Sequence, residues 1–436
     1  MKVRHVAILN LVLLLSSAVL AQINNLADAP SNAGSTALGN TATTVATKPT
    51  PPAVSFTKDG LLFTNKDKSD QLKVNGYVQG DGRFFSSDQQ NNSPDKLLWR
   101  RIRPNFEGTL FNFLDFRFMP DFGQNTAQVQ DLYVEIKPLS FLKPRFGKFK
   151  TPQGLEALRP DQYSSFVERS LASDLVPLRE VGAQLGGSVL KNTLSYAAGY
   201  FNGAPDGSNG NFQWRTSNEG AARVFVQPFL NTPVAPLQGF GFGLAGSFAN
   251  EHGTLPSYKT IGQNSFFKYN KATADGQHNR ITPQAWYYAG PVEVLTEYTK
   301  SSQEVLSSKN SLRRLANEGW QLAGSVFLTG EKNTYKGTIQ PRYGFEPYKG
   351  LHYLGAWQLA ARVSKLRVDP DAFPLFADPK KSAQAASEWA VGINWYPSRY
   401  VKIMNDYAHT SFNMASSSAV PLHSENVIMT CIQLGF

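Results

Sequence analysis

Arginine is the residue type in this sequence that is best suited to chemistry. Arg100 and Arg101 are adjacent, and further arginines lie on both sides of this pair. A guanidinium group stays charged and offers planar, paired donors that fit carboxylate and phosphate oxygens. If the fold gathers these side chains, the chemistry they support is the binding of anions. The candidate residues are Arg83, Arg100, Arg101, Arg103, Arg117, Arg159 and Arg169, with Tyr77.

Catalytic and cofactor motifs are weak by comparison. The sequence has no Gly-x-Ser-x-Gly and no His-Glu-x-x-His, and its six histidines lack metal-ligand spacing. Cys431 is the single cysteine, which excludes a disulfide framework and a multi-cysteine metal site. The segment Gly241–Gly246 fits Gly-x-Gly-x-x-Gly, but it continues as a strand where a dinucleotide site needs a helix. We therefore expect no cofactor, no metal and no enzymatic activity, with an enzyme as the main alternative class.

The elements that carry the arginines alternate between apolar and polar residues with a period of two. Trp389, Val391, Ile393 and Trp395, for example, alternate with small or polar residues. Such alternation is typical of β-strands that have one apolar face. It predicts an all-β chain of sixteen strands: 73–85, 97–111, 113–122, 127–137, 143–151, 179–190, 193–202, 219–229, 239–251, 280–289, 292–305, 318–329, 352–368, 387–397, 401–412 and 425–436.

The connections between these strands are long and short in turn. The alternation breaks at 330–351, which is long where a short turn is expected. An even strand count with short turns on one side and long loops on the other is typical of an outer-membrane β-barrel. Closure into an antiparallel transmembrane barrel leaves no open edge in lipid. A soluble β-sandwich is the alternative.

The alternation also assigns side chains to the lumen of this barrel. Tyr77, Arg83, Arg101, Arg103 and Arg117 face inward, because their neighbours along each strand are apolar. Arg100 breaks the pattern, so either it lies above the membrane or a bulge turns it inward. On the first four strands six basic residues oppose six acidic ones, so their count alone does not establish anion selectivity.

The third long loop, residues 152–178, combines apolar and charged side chains. A free surface loop has no need of Leu155, Leu158, Phe166 and Leu171. We interpret this segment as folded into the lumen, where Arg159 and Arg169 would narrow the pore. An external lid is the alternative interpretation.

The N-terminus predicts export. A basic start, an apolar stretch and Val19-Leu20-Ala21 indicate a signal peptide over 1–21, although a transmembrane anchor is the alternative. Residues 22–58 are rich in Ala, Asn, Thr, Ser and Pro, which predicts a flexible periplasmic segment before a barrel domain over 59–436. The formal net charge of +10 is dispersed, without the basic runs of a nucleic-acid-binding protein.

Several short motifs together resemble the phosphate-selective porins of the O/P type from about residue 73 to the end. They are Gly76-Tyr-Val-Gln-Gly-Asp81, Trp99-Arg-Arg101 with Phe106-Glu-Gly108, Asp131-Leu-Tyr-Val134, Arg145-Phe-Gly-Lys-Phe149, Gly154-Leu-Glu156, Glu168-Arg-Ser-Leu171 and Gly392-Ile-Asn-Trp-Tyr396. The resemblance implies a trimer of sixteen-stranded barrels in the bacterial outer membrane, with an inward third loop and a basic constriction that binds phosphate.

Carried over residue by residue, Arg100 and Arg101 match the family's paired arginines and Arg169 matches its loop arginine. Tyr77 stands where phosphate-selective members have another arginine, and Asp115 stands where some have a lysine. We therefore expect passage of small hydrophilic solutes with an anion preference, or a non-selective pore. The expected partners are outer-membrane lipid, two further copies of the chain and the barrel-assembly machinery, which would recognise the terminal Phe436.

Overall fold

The computed structural model describes residues 53–86, 94–210, 217–415 and 424–436. Sixteen long antiparallel strands form one sheet, and all sixteen predicted strands are present. These strands are β3 (Gln71–Phe85), β4 (Lys96–Leu110), β5 (Leu114–Asp121), β6 (Gln128–Ile136), β7 (Lys143–Phe149), β8 (Glu180–Val189), β9 (Leu194–Phe201), β10 (Asn218–Val226), β11 (Phe240–Gly253), β14 (Ala272–Ala289), β15 (Val292–Ser307), β16 (Leu312–Phe327), β17 (Ala356–Arg367), β18 (Ala383–Tyr396), β19 (Val401–Met414) and β20 (Glu425–Gly435).

The sheet closes on itself where β20 pairs with β3. Their register runs from Val427 opposite Phe85 to Gly435 opposite Tyr77. Beyond the last strand, the backbones of Phe436 and Gly76 exchange two hydrogen bonds of 3.1 and 3.2 Å. The result is a closed sixteen-stranded antiparallel barrel without an open edge, as the sequence predicts.

Side chains on the strands divide between an apolar outside and a polar inside. Trp389, Val391 and Ile393 are 40–47% exposed on the outer face of β18, whereas Glu388 and Asn394, at the alternate positions on either side of this run, are buried. A lipid-facing surface with a polar interior is the arrangement expected of a transmembrane barrel. In the described ranges, no helix combines the length and apolarity that a membrane crossing requires.

Two further hairpins extend the predicted set. Strands β1 (Ala53–Thr57) and β2 (Gly60–Thr64) form a hairpin whose second strand pairs with β3 from Leu61 opposite Val74. Residues 53–57 belong to the segment predicted to be flexible; the rest of that segment up to residue 52, and the predicted signal peptide, lie outside the described residues. Strands β12 (Ser257–Lys259) and β13 (Ser265–Lys268) pair with each other within the connection between β11 and β14.

Strands β14 and β16 start well before their predicted first residues. Strand β14 begins at Ala272 and not at residue 280, and a bulge between Ala274 and His278 interrupts its pairing with β15. That bulge shifts the two-residue period, so the sequence pattern hides the first part of the strand. Strand β16 likewise begins at Leu312 and not at residue 318.

Among the residues that the structure describes, helical structure is confined to the connections. Two four-residue α-helices are α1 (Leu155–Leu158) and α2 (Ala235–Gln238). Short 3-10 helices occupy Gly123–Asn125, Asp161–Tyr163, Leu171–Leu175, Pro347–Lys349 and Pro370–Ala372.

Candidate functional site

The connection between β7 and β8, residues 150–179, packs on strands that lie far from it in sequence. Leu155 is fully buried against Phe225 of β10 and Leu295 of β15. Phe166 is buried beside Ala360 and Ala390 on β17 and β18. Leu171 joins a third apolar cluster, and Leu158 is half-buried. The 150–179 segment therefore contacts several parts of the barrel wall through the residues that the sequence singles out.

Carboxylates on the wall strands bind the backbone of this segment. Glu297 on β15 accepts hydrogen bonds from the Leu155 N–H (2.5 Å) and the Glu156 N–H (3.2 Å). Asp406 on β19 accepts one from the Val167 N–H (2.7 Å). A carboxylate that accepts from free N–H groups at the start of α1 satisfies donors that the helix itself leaves unpaired. These contacts fix the path of the segment across two distant strands.

Five of the candidate arginines meet two carboxylates of the segment, and we call this group the arginine cluster. Glu168 lies 2.5 Å from Arg83 Nη2, 2.5 Å from Arg100 Nε and 3.5 Å from Arg101 Nη2. Asp161 forms ion pairs with Arg101, Arg103 and Arg169. Asp81 and Asp121 add further pairs to Arg83 and Arg103. Five positive charges therefore face four negative ones, and the cluster is close to neutral.

The arginines keep both segment carboxylates ionised. Burial opposes ionisation of Glu168, but Arg100, Arg101 and Arg83 outweigh it and lower the pKa of this carboxyl below its usual value. Burial likewise opposes the charge on Asp161, and Arg169, Arg101 and Arg103 lower its pKa well below the ordinary range. Both acids are thus charged at neutral pH and hold the segment to β3 and β4.

A bulge in β4 brings Arg100 to the cluster. The register between β3 and β4 shifts between Gln79, which faces Arg101, and Gly80, which faces Trp99, so Arg100 is the extra residue. The sequence left two interpretations for Arg100, a position above the membrane or a bulge that turns it inward, and the structure has the bulge. The irregularity lets two consecutive arginines both contact Glu168.

The remaining candidates lie at the edge of the cluster or outside it. The hydroxyl of Tyr77 accepts a hydrogen bond of 2.8 Å from Arg103, so Tyr77 adjoins the cluster. Arg117 pairs with Glu107 at 3.3 Å, and Arg159 pairs with Glu293 on β15. Asp115, the other departure from the family pattern, pairs with Lys137 at 2.6 Å.

A cavity of about 340 Å³ lies beside the segment, towards the end of the barrel where Phe436 and the turn 397–400 are found. Eleven basic and four acidic side chains line it. The basic residues are Lys58, Lys73, Arg103, Arg117, Arg145, Lys150, Arg159, Arg179, Lys336, Arg399 and Lys402; the acidic residues are Asp59, Glu107, Asp131 and Asp161.

Five of these basic residues have no carboxylate within 4 Å among the residues that the structure describes. They are Lys58, Lys150, Lys336, Arg399 and Lys402. None was a candidate from the sequence. Lys402 had a usable signal, since it alternates with Ile403 on β19, whereas Lys336 lies in the long connection between β16 and β17, where no periodicity assigns a direction. The described residues contain no group of three His, Cys, Asp or Glu side chains able to hold a metal ion.

Comparisons with known proteins agree with this architecture. The family model for phosphate-selective porin O and P matches residues 72–436. No curated protein matches the chain. The outer membrane channel DcaP of Acinetobacter baumannii superposes with a TM-score of 0.55 at 10% identity, over 87% of this chain and all of that one.

Two further solved structures share the fold. The anion-selective porin from Comamonas acidovorans superposes with a TM-score of 0.53 at 12% identity, over 84% of this chain and all of that one. The trimer form of OmpT, an outer membrane protein of Vibrio cholerae, superposes with a TM-score of 0.53 at 11% identity, also over 84% of this chain and all of that one. At such identities the likeness concerns the fold alone.

Proposed function

Because the chain belongs to the phosphate-selective porin O and P family, we propose that this outer-membrane porin passes small hydrophilic solutes and prefers anions to cations. The observation that carries the preference is the excess of basic over acidic side chains in the lumen cavity. Field lines in a narrow, low-dielectric channel are focused, so a charge imbalance there acts on each passing ion.

Unpaired cations contribute most of this field. The arginine cluster is nearly neutral, because Glu168 and Asp161 oppose its guanidinium groups. Arg399 and Lys402, which line the cavity, have no carboxylate within 4 Å among the described residues. A single cation about 6 Å from the path changes the energy of a passing monovalent ion by ~3 kcal/mol at an effective dielectric near ~20. Two or three such groups are enough to favour anions.

The 150–179 segment gives the channel its constriction in this proposal. Its contacts with β10, β15, β17, β18 and β19 support a path across the lumen. Arg100, Arg101 and Arg169 would then lie where the pore is narrowest, held in place by Glu168 and Asp161. In this arrangement the arginines both fasten the segment to the wall and present the positive edge of the constriction.

A general anion preference fits the residues better than strict phosphate selectivity. Tyr77 occupies a position beside the cluster without adding charge, and Asp115 adds a negative charge that Lys137 neutralises. Near neutral pH, phosphate carries one to two negative charges and needs several converging donors. Most of the donors here are already used by Asp161 and Glu168.

Assembly and processing complete the proposal. We expect a homotrimer, because trimers occur among structures of the same fold, and insertion through the barrel-assembly machinery into outer-membrane lipid. We also expect transport without catalysis. Purified protein in proteoliposomes should hydrolyse neither phospholipid nor casein while it conducts ions.

The test is the reversal potential of the purified trimer in a planar bilayer with a KCl gradient. A reversal potential with the sign of the chloride equilibrium potential supports the proposal. A reversal potential with the sign of the potassium equilibrium potential rejects the anion preference. Arg399→Gln with Lys402→Gln should shift the potential towards zero. Lys309→Gln removes a charge from the exposed turn between β15 and β16 and should leave it unchanged. If the reversal potential shifts equally in the Arg399→Gln, Lys402→Gln double variant and in Lys309→Gln, the cavity charges do not set selectivity.

A further inference from the structure

Two cations in the lumen stand apart from the carboxylates described above. Arg223, on β10, donates from Nε to Gln284 at 3.0 Å, and no carboxylate of the described residues lies within 4 Å of it. Lys336, in the connection between β16 and β17, has no such carboxylate partner either. Lys336 also lines the basic cavity. Both side chains thus have donors that the protein does not use.

These two cations lie close enough to repel each other. Enclosure by the barrel, together with Arg223, Arg145 and Arg117, lowers the pKa of Lys336 to about 8. Arg145 is balanced by Glu135 at 2.5 Å, and Arg117 by Glu107 at 3.3 Å. Neither Arg223 nor Lys336 has such an ion pair within 4 Å among the described residues, although Glu297 on β15 attracts Arg223 from further away. An anion bound between them would relieve their repulsion.

The wall next to this pair is aromatic. The ring of Trp286 lies 4.3 Å from that of Phe225 and 4.5 Å from that of Tyr335. Arg223 sits over Phe225 at 4.5 Å, and Lys336 lies 5.6 Å from the ring of Tyr335. Trp286 and Tyr335 are half-buried, so part of each ring remains accessible.

The aromatic group is held rigidly. The Tyr335 hydroxyl donates a 2.5 Å hydrogen bond to the carbonyl oxygen of Leu155, at the start of α1. Leu155 in turn packs on Phe225. The connection between β16 and β17 and the 150–179 segment therefore meet at this point, and the two cations lie where they meet. A preorganised site loses little conformational entropy on binding.

We propose that Arg223 and Lys336, with Trp286 and Tyr335, form a binding site for an organic oxyanion that carries an aromatic ring. The proposal rests on the anion-conducting function and names the class of solute that the channel retains best. The two cations bind the carboxylate or phosphate group, and the half-buried rings contact the apolar body. Inorganic phosphate lacks that body, so it would gain only the charge contacts.

The probe is phenyl phosphate, added to the trimer in planar bilayers while single-channel current is recorded. We expect reversible block by phenyl phosphate at concentrations about tenfold below those at which inorganic phosphate acts. Arg223→Gln and Lys336→Gln should each weaken the block by phenyl phosphate about tenfold, which corresponds to the loss of one charge-assisted contact. Trp286→Leu should weaken block by phenyl phosphate and leave block by inorganic phosphate unchanged.

Lys309→Gln is the matched control, and phenyl phosphate should block it as it blocks the wild type. Heat-dependent mobility on gels checks that each variant forms the barrel. If Arg223→Gln does not fold, Arg223→Lys replaces it; this variant keeps the positive charge, and phenyl phosphate should still block it. Equal block by the two phosphates, or block that Arg223→Gln and Lys336→Gln leave intact, would overturn the site. The reversal potential is measured in the same bilayers, so a channel without anion preference would be detected separately from one without the aromatic site.

Discussion

Arg100 Nε lies 2.5 Å from Glu168 Oε1, although the alternation of β4 would point Arg100 outward. The bulge at Arg100 makes this contact possible, and Arg101 reaches the same carboxylate at 3.5 Å. Glu168 is thereby buried among Arg83, Arg100 and Arg101. A local irregularity of one strand thus joins the wall to the 150–179 segment, and this junction governs the first predictions below.

Removal of the Glu168 charge should loosen the segment and strengthen anion preference. In Glu168→Gln, three guanidinium groups lose a shared partner, and breaking a buried pair costs ~3–5 kcal/mol. We expect a lower temperature for the heat-dependent gel shift and a reversal potential further towards the chloride limit. Glu346→Gln, at a half-exposed position in the connection between β16 and β17 where Glu346 forms an ion pair only with Lys349 among the described residues, is the matched control. A Glu168→Gln trimer with wild-type selectivity would show that the cluster does not face the ion path.

Acid should destabilise the same junction. The pKa values of Glu168 and Asp161 are lower in the folded barrel than in the unfolded chain, where ordinary values near ~4 apply. Such groups add stability above the unfolded pKa, and that stability falls as the pH drops below about 4 towards their folded pKa values. The contribution of these two acids to the gel-shift temperature should therefore be level from pH 8 to about 5 and fall below about 4. In Asp161→Asn with Glu168→Gln the acid-dependent fall should be smaller, and an unchanged fall would assign it to other carboxyls.

Loss of two cluster arginines should reduce anion preference. Arg101 and Arg169 both pair with Asp161, so Arg101→Ala with Arg169→Ala leaves this carboxylate opposed by Arg103 alone. We expect the chloride-over-potassium preference to fall in a bilayer salt gradient. Lys380→Ala with Lys381→Ala removes two exposed charges from the connection between β17 and β18 and serves as the control. An unchanged reversal potential in the arginine double variant would give these arginines a structural role only.

The sequence was sufficient for the barrel but only partly for the site. Alternation as regular as that of Trp389 to Trp395 predicts a strand and its outward face, because one face must meet lipid. It could not predict that Glu168 and Asp161 neutralise the arginines, since all of these pairs except Asp161–Arg169 join residues 58 to 85 positions apart. Lys336 was missed for the same reason: its position depends on how a long connection folds back, which no local pattern records.

The predicted N-terminal boundary can be tested directly. The signal sequence should be removed after Ala21, so that the outer-membrane protein begins at Gln22. Limited proteolysis of the folded trimer should cut between residues 22 and 52 and spare the hairpin of β1 and β2, whose second strand is paired with β3. N-terminal sequencing that returned Met1 would reject the signal peptide, and cleavage within 60–64 would reject the protection of the hairpin.

Deletion of Phe436 should impair assembly. Its backbone exchanges two hydrogen bonds with Gly76, next to the seam where β20 closes on β3. Phe436 is 55% exposed in the closed barrel, and we expect the assembly machinery to recognise its aromatic ring. We therefore expect a low yield of heat-modifiable trimer from the deletion. Phe436→Tyr keeps the ring and the backbone contacts and should assemble normally, whereas Phe436→Ala keeps only the backbone contacts. If Phe436→Ala gives a low trimer yield while Phe436→Tyr assembles normally, the aromatic ring is required for assembly. A normal trimer yield from the deletion would show that Phe436 is needed neither to close the seam nor for assembly.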